Sequence, residues 1–176
     1  FDIPVKGTHA HSWIMSFKTE LEAFRNYASL YPDNCLLLVD TYDTLKSGVP
    51  HAIQVFNEMK AKGIRMKTYG IRLDSGDLAY LSKQARKMLD RAGHTDAIIS
   101  ASSDLDEHLI DSLHTQGAKI TSWGVGTNLI TSKNCPAFGG VYKLAAVSDE
   151  NGNFIPKIKV SENIEKVTNP GDKTVF

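Results

Sequence analysis

A short, continuously apolar run followed by apolar residues at helical spacing recurs down the middle of this chain, and few folds accept that alternation. Residues 35–39 read as a buried strand, with a run that suggests burial on both faces. Val49, Ala52, Ile53, Phe56 and Met59 then fall on one helical face, and Gly63 supplies a stop. Residues 65–73 form the next extended stretch, with Thr68 and Tyr69 favouring a strand. Leu78, Leu81, Ala85, Met88 and Ala92 make a second helical stripe that ends at Gly93. Residues 97–102 are strand-like, and Asp104 to Glu107 has the spacing of a capping box before a helix carrying Leu109, Ile110 and Leu113. Residues 118–123 give a fourth strand. Successive strand–helix units of this kind build a parallel sheet with right-handed crossovers. The pattern predicts part of an α/β barrel, with an open doubly wound sheet as the second choice.

The flanks are different. Residues 19–31 carry a helical stripe of their own, stopped by Pro32. Residues 141–147 and 154–160 flank Asp149-Glu150-Asn151-Gly152-Asn153, a hairpin signal. No linker composition divides the 176 residues, so the chain reads as one partial barrel domain over 1–176 with a hairpin-like region at 141–160. It opens at Phe1 without a methionine and stops in mid-pattern at Phe176, which suggests a piece of a longer protein.

Twenty Lys and Arg balance twenty Asp and Glu, which argues against broad electrostatic binding of nucleic acid. No apolar run is long enough for a membrane span, and no signal peptide opens the chain. Cys35 and Cys135 are too few for a disulfide framework or a cysteine-built zinc site, and Cys35 sits in an apolar run as a small hydrophobe would. A reducing, cytoplasmic compartment is the expectation.

In βα architectures the chemistry sits on the loops after the strands. Those loops carry Asp40-Thr41-Tyr42-Asp43, then Arg72-Leu73-Asp74-Ser75-Gly76-Asp77, then Ser100, Ser102, Ser103 and Asp104, then Gly124-Val125-Gly126-Thr127-Asn128. The two glycines at 124 and 126 let backbone N–H groups approach an anion, although glycine-rich turns also simply reverse a chain. Arg72 offers a bidentate fork for a carboxylate or phosphate, and Asp74 with Asp77 offers hard oxygens for Mg²⁺. The plainer alternative is that Asp74 or Ser75 caps the following helix, Asp77 complements its dipole, and Arg72 pairs with one of the acids. In His9-Ala10-His11 an extended backbone would put both imidazoles on one side as metal ligands, but the later strand ends lack the further ligands of a metal hydrolase.

Six segments in chain order from Gly7 to Leu144 resemble one family. They are Gly7-Thr8-His9-Ala10-His11-Ser12, Leu38-Val39-Asp40-Thr41-Tyr42-Asp43-Thr44 with Gly48-Val49, Ile71-Arg72-Leu73-Asp74-Ser75-Gly76-Asp77, Ala101-Ser102-Ser103-Asp104-Leu105-Asp106-Glu107, Gly124-Val125-Gly126-Thr127-Asn128-Leu129, and Gly139-Gly140-Val141-Tyr142-Lys143-Leu144. Together they resemble the bacterial nicotinate phosphoribosyltransferases. The resemblance implies an irregular, TIM-like α/β barrel of the type II phosphoribosyltransferase kind, here without the family's N-terminal domain and first barrel strands. It implies an ATP-consuming glycosyltransferase of NAD biosynthesis, which makes nicotinate mononucleotide and pyrophosphate from nicotinate and phosphoribosyl pyrophosphate. It also implies ATP and substrate-borne Mg²⁺, no organic prosthetic group, and a homodimer whose partner contributes an aromatic over nicotinate.

By motif position, His11 resembles the phosphorylated histidine and Thr8 a residue of the nicotinate pocket. Arg72 resembles the arginine near the nicotinate carboxylate, and Thr127 the phosphoribosyl pyrophosphate contact. Ser103, Gly124 and Gly126 are further substrate-binding expectations. Asp74 is expected to serve catalysis and, with Asp77, Mg²⁺, while Asp40 or Asp74 orients His11. Nicotinamide- or quinolinate-using relatives, and a non-catalytic phosphate-binding module, are the competing readings.

Overall fold

The computed structural model describes residues 2–3, 7–137, 143–158 and 169–174, and the chain divides into two compact units, Phe1–Pro136 and Ala137–Phe176. In the first unit the elements follow the order α1 (His11–Met15), α2 (Glu20–Leu30), β1 (Asn34–Leu38), a π-helical turn (Thr44–Gly48) and α3 (Val49–Ala61). Then come β2 (Thr68–Leu73), α4 (Leu78–Arg91), β3 (Ile98–Ala101), α5 (Glu107–Thr115), β4 (Ser122–Trp123) and α6 (Thr127–Ile130). The strands form one parallel sheet in the order β1-β2-β3-β4, with Leu38 opposite Arg72 and Arg72 opposite Ser100.

Helices α2, α3 and α4 pack against one another in sequence and share a single core with the sheet. Phe24, Val55, Phe56 and Leu89 meet Cys35, Leu37, Ile71, Leu73, Ile99 and Ala101 there. The opposite face carries Asn34, Leu36, Arg72, Ser100 and Ser122, and a cavity of about 360 Å³ runs along it. The expectation that residues 35–39 are buried on both faces is therefore corrected: Leu36 is half-buried on the open side. Among the described residues the core lies on one face of the sheet, whereas a doubly wound sheet has one on each.

Local chemistry sets the boundaries. Thr19 accepts from Glu22 N–H and starts α2, and Asp77 accepts from Tyr80 N–H and starts α4, in place of Asp74 or Ser75. The cap of α5 is Asp106, which accepts from Leu109 N–H; Asp104, at φ 40°, lies outside the helix. The fourth strand is shorter than 118–123 because helices claim the earlier amides. Ala118 N–H donates to Leu113 O and Lys119 N–H to Ser82 Oγ.

At the end of the sheet where the strands begin, a polar network built on the buried Tyr69 and His94 joins β2 to its neighbours. Tyr69 OH donates to Asp96 over 2.5 Å and lies 3.2 Å from His94 Nδ1, while His94 Nε2 lies 2.9 Å from Asn57 Oδ1. Arg86 donates to the carbonyls of His94 and Ala97.

In the second unit β5 (Ala146–Ser148) pairs antiparallel with β6 (Phe154–Pro156), with Val147 opposite Ile155. Asp149 Oδ1 accepts from Asn151 and Asn153 N–H, and Gly152 at φ 85° completes the predicted turn. Residues 141–142 and 159–160 of the predicted hairpin, and Gly139 to Tyr142 of the last motif, lie outside the described residues.

Candidate active site

The segment before α1 lies along the edge of β1. Thr8 Oγ1 donates to Leu36 O over 2.5 Å, and Leu38 N–H donates to His9 Nε2 over 3.2 Å. His9 is thereby turned inward, with its ring 4.6 Å from that of Tyr27, and burial lowers its pKa to about 4. The backbone is extended only as far as Ala10, after which α1 begins at His11. The two imidazoles part company, which removes the shared metal site that an extended His9-Ala10-His11 offered.

His11 faces the ends of β1 and β2 and keeps 38% of its side chain exposed. Its Nδ1 lies 3.0 Å from Thr41 Oγ1, and its Nε2 lies 3.6 Å from Asp74 Oδ2 and 3.9 Å from Asp40 Oδ1. Asp40 is 2% exposed at the side chain. Its Oδ2 accepts from Asp74 N–H at 2.9 Å and Ser75 Oγ at 2.7 Å, whereas Oδ1 is buried with no hydrogen-bond partner. A buried acceptor left open on the side facing a histidine is costly for a fold and is found where a proton or cation is to be received.

Arg72 projects from β2 beside this group. Its Nε donates to Ser102 Oγ at 2.7 Å, Nη2 to Asp74 Oδ1 at 3.0 Å, and Nη1 to His9 O at 3.4 Å. Ser102 Oγ also donates to Asp74 Oδ1, at 2.5 Å. A guanidinium has five N–H groups, so two remain uncommitted on its outer nitrogens. Burial opposes ionisation of Asp74, but the Ser102 hydroxyl and the Arg72 guanidinium outweigh it and hold the carboxyl below its ordinary value.

Thr8, Arg72, Ser102 and Gly124 line the open-face cavity together. A Cβ on Gly124 would lie 3.2 Å from Ser102 Cβ, so Ser102 would have to give by a few tenths of an ångström to admit one, while a Cβ on Gly126 would meet nothing within 4 Å. Gly126 and Thr127 are exposed at the start of α6. Asp77 Oδ1 is occupied as a helix cap, and among the described residues no three His, Cys, Asp or Glu side chains converge as metal ligands. Ser102, one residue before Ser103, makes the bonds to Arg72 and Asp74. Strand alternation carries that signal, since Ser100 and Ser102 share the face of Arg72. Thr41 had no signal beyond its place in the loop after β1.

No protein-family model matches the chain. The nicotinate phosphoribosyltransferase of Bacillus subtilis strain 168 is 58% identical over all 176 residues, which span 35% of its length. The chain is a relative of the nicotinate phosphoribosyltransferases. That of Dictyostelium discoideum is 38% identical over the whole chain, which spans 36% of that protein. The chain thus spans little more than a third of these nicotinate phosphoribosyltransferases. Among solved structures, human nicotinic acid phosphoribosyltransferase superposes with a TM-score of 0.63 at 24% identity, over 69% of the chain and 35% of its own. The nicotinate phosphoribosyltransferase of Porphyromonas gingivalis superposes with a TM-score of 0.55 at 23% identity, over 93% of the chain and 44% of its own. These two likenesses show the fold alone.

Proposed function

We propose that the protein carrying this chain transfers phosphoribosyl from phosphoribosyl pyrophosphate to nicotinate, giving nicotinate mononucleotide and pyrophosphate in NAD biosynthesis. ATP hydrolysis drives the reaction through a phosphohistidine at His11. The observation that carries the reading is His11 itself, partly exposed at the strand ends with a hydroxyl at one ring nitrogen and two carboxylates near the other. The carboxylates of Asp40 and Asp74 favour the tautomer with its proton on Nε2, which leaves the Nδ1 lone pair on the Thr41 side for phosphoryl attack.

The rest of the site supports the same reaction. Departure of pyrophosphate leaves positive charge on the ribose, so catalysis rests on holding anions in place beside the attacking pyridine nitrogen. The two uncommitted N–H groups of Arg72 suit the carboxylate of nicotinate, and Thr8 borders the same cavity. Gly124, Gly126 and Thr127 suit a phosphate of the donor, because Gly126 is exposed and the space a Cβ would fill there is open to an approaching anion. Ser103 remains a donor contact in this proposal. Mg²⁺ arriving on pyrophosphate supplies charge neutralisation and asks for one or two carboxylates; Asp74 Oδ2 fits, and Asp77 does so by giving up its cap.

In this proposal the open face of the sheet is the interior of a TIM-like barrel, closed by strands outside this chain. A homodimer completes the site, and the setting is cytoplasmic. Among the described residues no helix is long and apolar enough to cross a membrane.

Labelled ATP with the protein carrying this chain, followed by peptide mapping, is expected to give an acid-labile, base-stable phosphate on His11. His11→Ala is expected to abolish ATP stimulation and leave a slow, ATP-independent transfer, whereas His9→Gln keeps the coupling. Label elsewhere, or stimulation that survives in His11→Ala, overturns the phosphohistidine. Products from nicotinate, nicotinamide and quinolinate in parallel decide the pyridine.

A further inference from the structure

The geometry points to Glu20 as a positioning residue that sets the His11 site from outside it, a role that rests on the function proposed above. Glu20 opens α2, where a carboxylate complements the helix dipole. Surface placement would give that benefit, yet the residue is only 4% exposed. A buried carboxylate is costly unless it is paired, so its partners show what it is for. Ser47 Oγ donates to Glu20 Oε2 over 2.5 Å, and His51 Nδ1 lies 2.8 Å from the same oxygen and 3.3 Å from Ser47 Oγ.

These partners belong to the loop that serves His11. Ser47 lies in the π-helical turn and His51 in the first turn of α3. Asp43 caps the π turn by accepting from Leu45 and Lys46 N–H, directly after Asp40 and Thr41. At its other end the turn is pressed onto β1, since a Cβ on Gly48 would lie 1.9 Å from Val39 O. The turn therefore fixes where Asp40 and Thr41 leave the strand. Glu20 itself belongs with the other side of the site: α1, which begins at His11, is tied to α2 by Trp13 Nε1 donating to Ala23 O over 3.2 Å. One buried carboxylate thus joins the two segments whose meeting point is His11 and Thr41. Glu20 Oε1 is buried without a hydrogen-bond partner, so Oε2 alone carries the link to Ser47 and His51.

The test uses the protein carrying this chain. Glu20→Ala is expected to lower both His11 phosphorylation and the coupled kcat by about 10- to 100-fold, as a small misplacement of reacting groups does, with the nicotinate KM little changed. Glu20→Gln, which keeps an acceptor for Ser47, restores most of the rate. The His11 imidazole ¹⁵N resonances are expected to move in Glu20→Ala and in Ser47→Ala. A lowered Tm with unchanged kcat and unchanged His11 resonances would make Glu20 a structural anchor only and overturn the proposal. Should Glu20→Ala fail to fold, Ser47→Ala decides by the same two readouts. If the unmodified protein transfers no phosphoribosyl group, the functional reading falls, and the resonances still decide the role of Glu20.

Discussion

The two ends of the parallel sheet use the same residue types to opposite purposes. Where the strands begin, His94 is fully buried, both its nitrogens have partners, and Tyr69, Asp96 and Arg86 complete the network. Where the strands finish, His11 is partly exposed, Asp40 Oδ1 is an unmet acceptor, and Arg72 keeps two N–H groups in reserve. Buried groups that have their partners, as Tyr69 and His94 do, stabilise a fold, whereas unmet groups at a cavity rim cost stability and are kept where a ligand supplies the missing partner. The same division separates the two faces of α/β barrels, with chemistry at the strands' C-terminal ends and stability at the other.

The largest effect is expected at Arg72. Arg72→Ala should weaken nicotinate by about 2–5 kcal/mol, since it removes a charge-assisted fork, and should erase discrimination against nicotinamide. Arg72→Lys should also fail, because an ammonium cannot make two parallel bonds. Steady-state kinetics with both pyridines checks this; an unchanged nicotinate KM would return Arg72 to a structural ion pair with Asp74 and break the comparison.

Tyr69→Phe tests the opposite end. Loss of the hydroxyl leaves Asp96 and His94 with one fewer partner and should cost about 1–3 kcal/mol of stability in denaturant titration. Activity per folded molecule should not move. A fall in kcat beyond the loss of folded protein would mean that the two ends are coupled.

The smallest effect is a pH slope. Burial lowers the pKa of His9 from 6.5 to about 4, and burial together with Lys60 and Arg86 lowers that of His94 despite Asp96. A histidine with a depressed folded pKa binds its proton more readily in the unfolded chain. Its contribution is complete above its ordinary value and is lost as pH falls. Tm should therefore decline between pH 6.5 and 4, and His9→Gln, which keeps an acceptor for Leu38 N–H but cannot ionise there, should flatten that decline.

Much of the fold was legible because apolar runs, helical stripes and glycine stops agree with one another from residue 19 to residue 117. The one-sided burial of the sheet was not. Leu36 and Ile98 are apolar on the open face, so periodicity alone reads their strands as enclosed. Capping was legible in kind but not in position: Asp104 and Asp106 are equally good caps by composition, and backbone conformation chose the second. Asp40, Asp74 and Arg72 could be named in advance because each sits at a strand end, and His11 only from its place in the family motif. Ser102 was named only as one serine among several in its loop, and strand parity is what places it on the face of Arg72. The Glu20 clamp had no sequence signal, because it joins residues 27 and 31 positions apart that only packing brings together.

The edge of β1 has a consequence for where another strand can join the sheet. Leu36 O is held by the Thr8 hydroxyl and Leu38 N–H by the His9 ring, so two outward-facing groups of the edge strand are engaged by side chains. An incoming strand would have to displace both before it could pair there. Segment 7–9 thus closes that stretch of β1 by side-chain bonds, so a strand that joins the sheet beside β1 has to build its ladder outside Leu36 to Leu38.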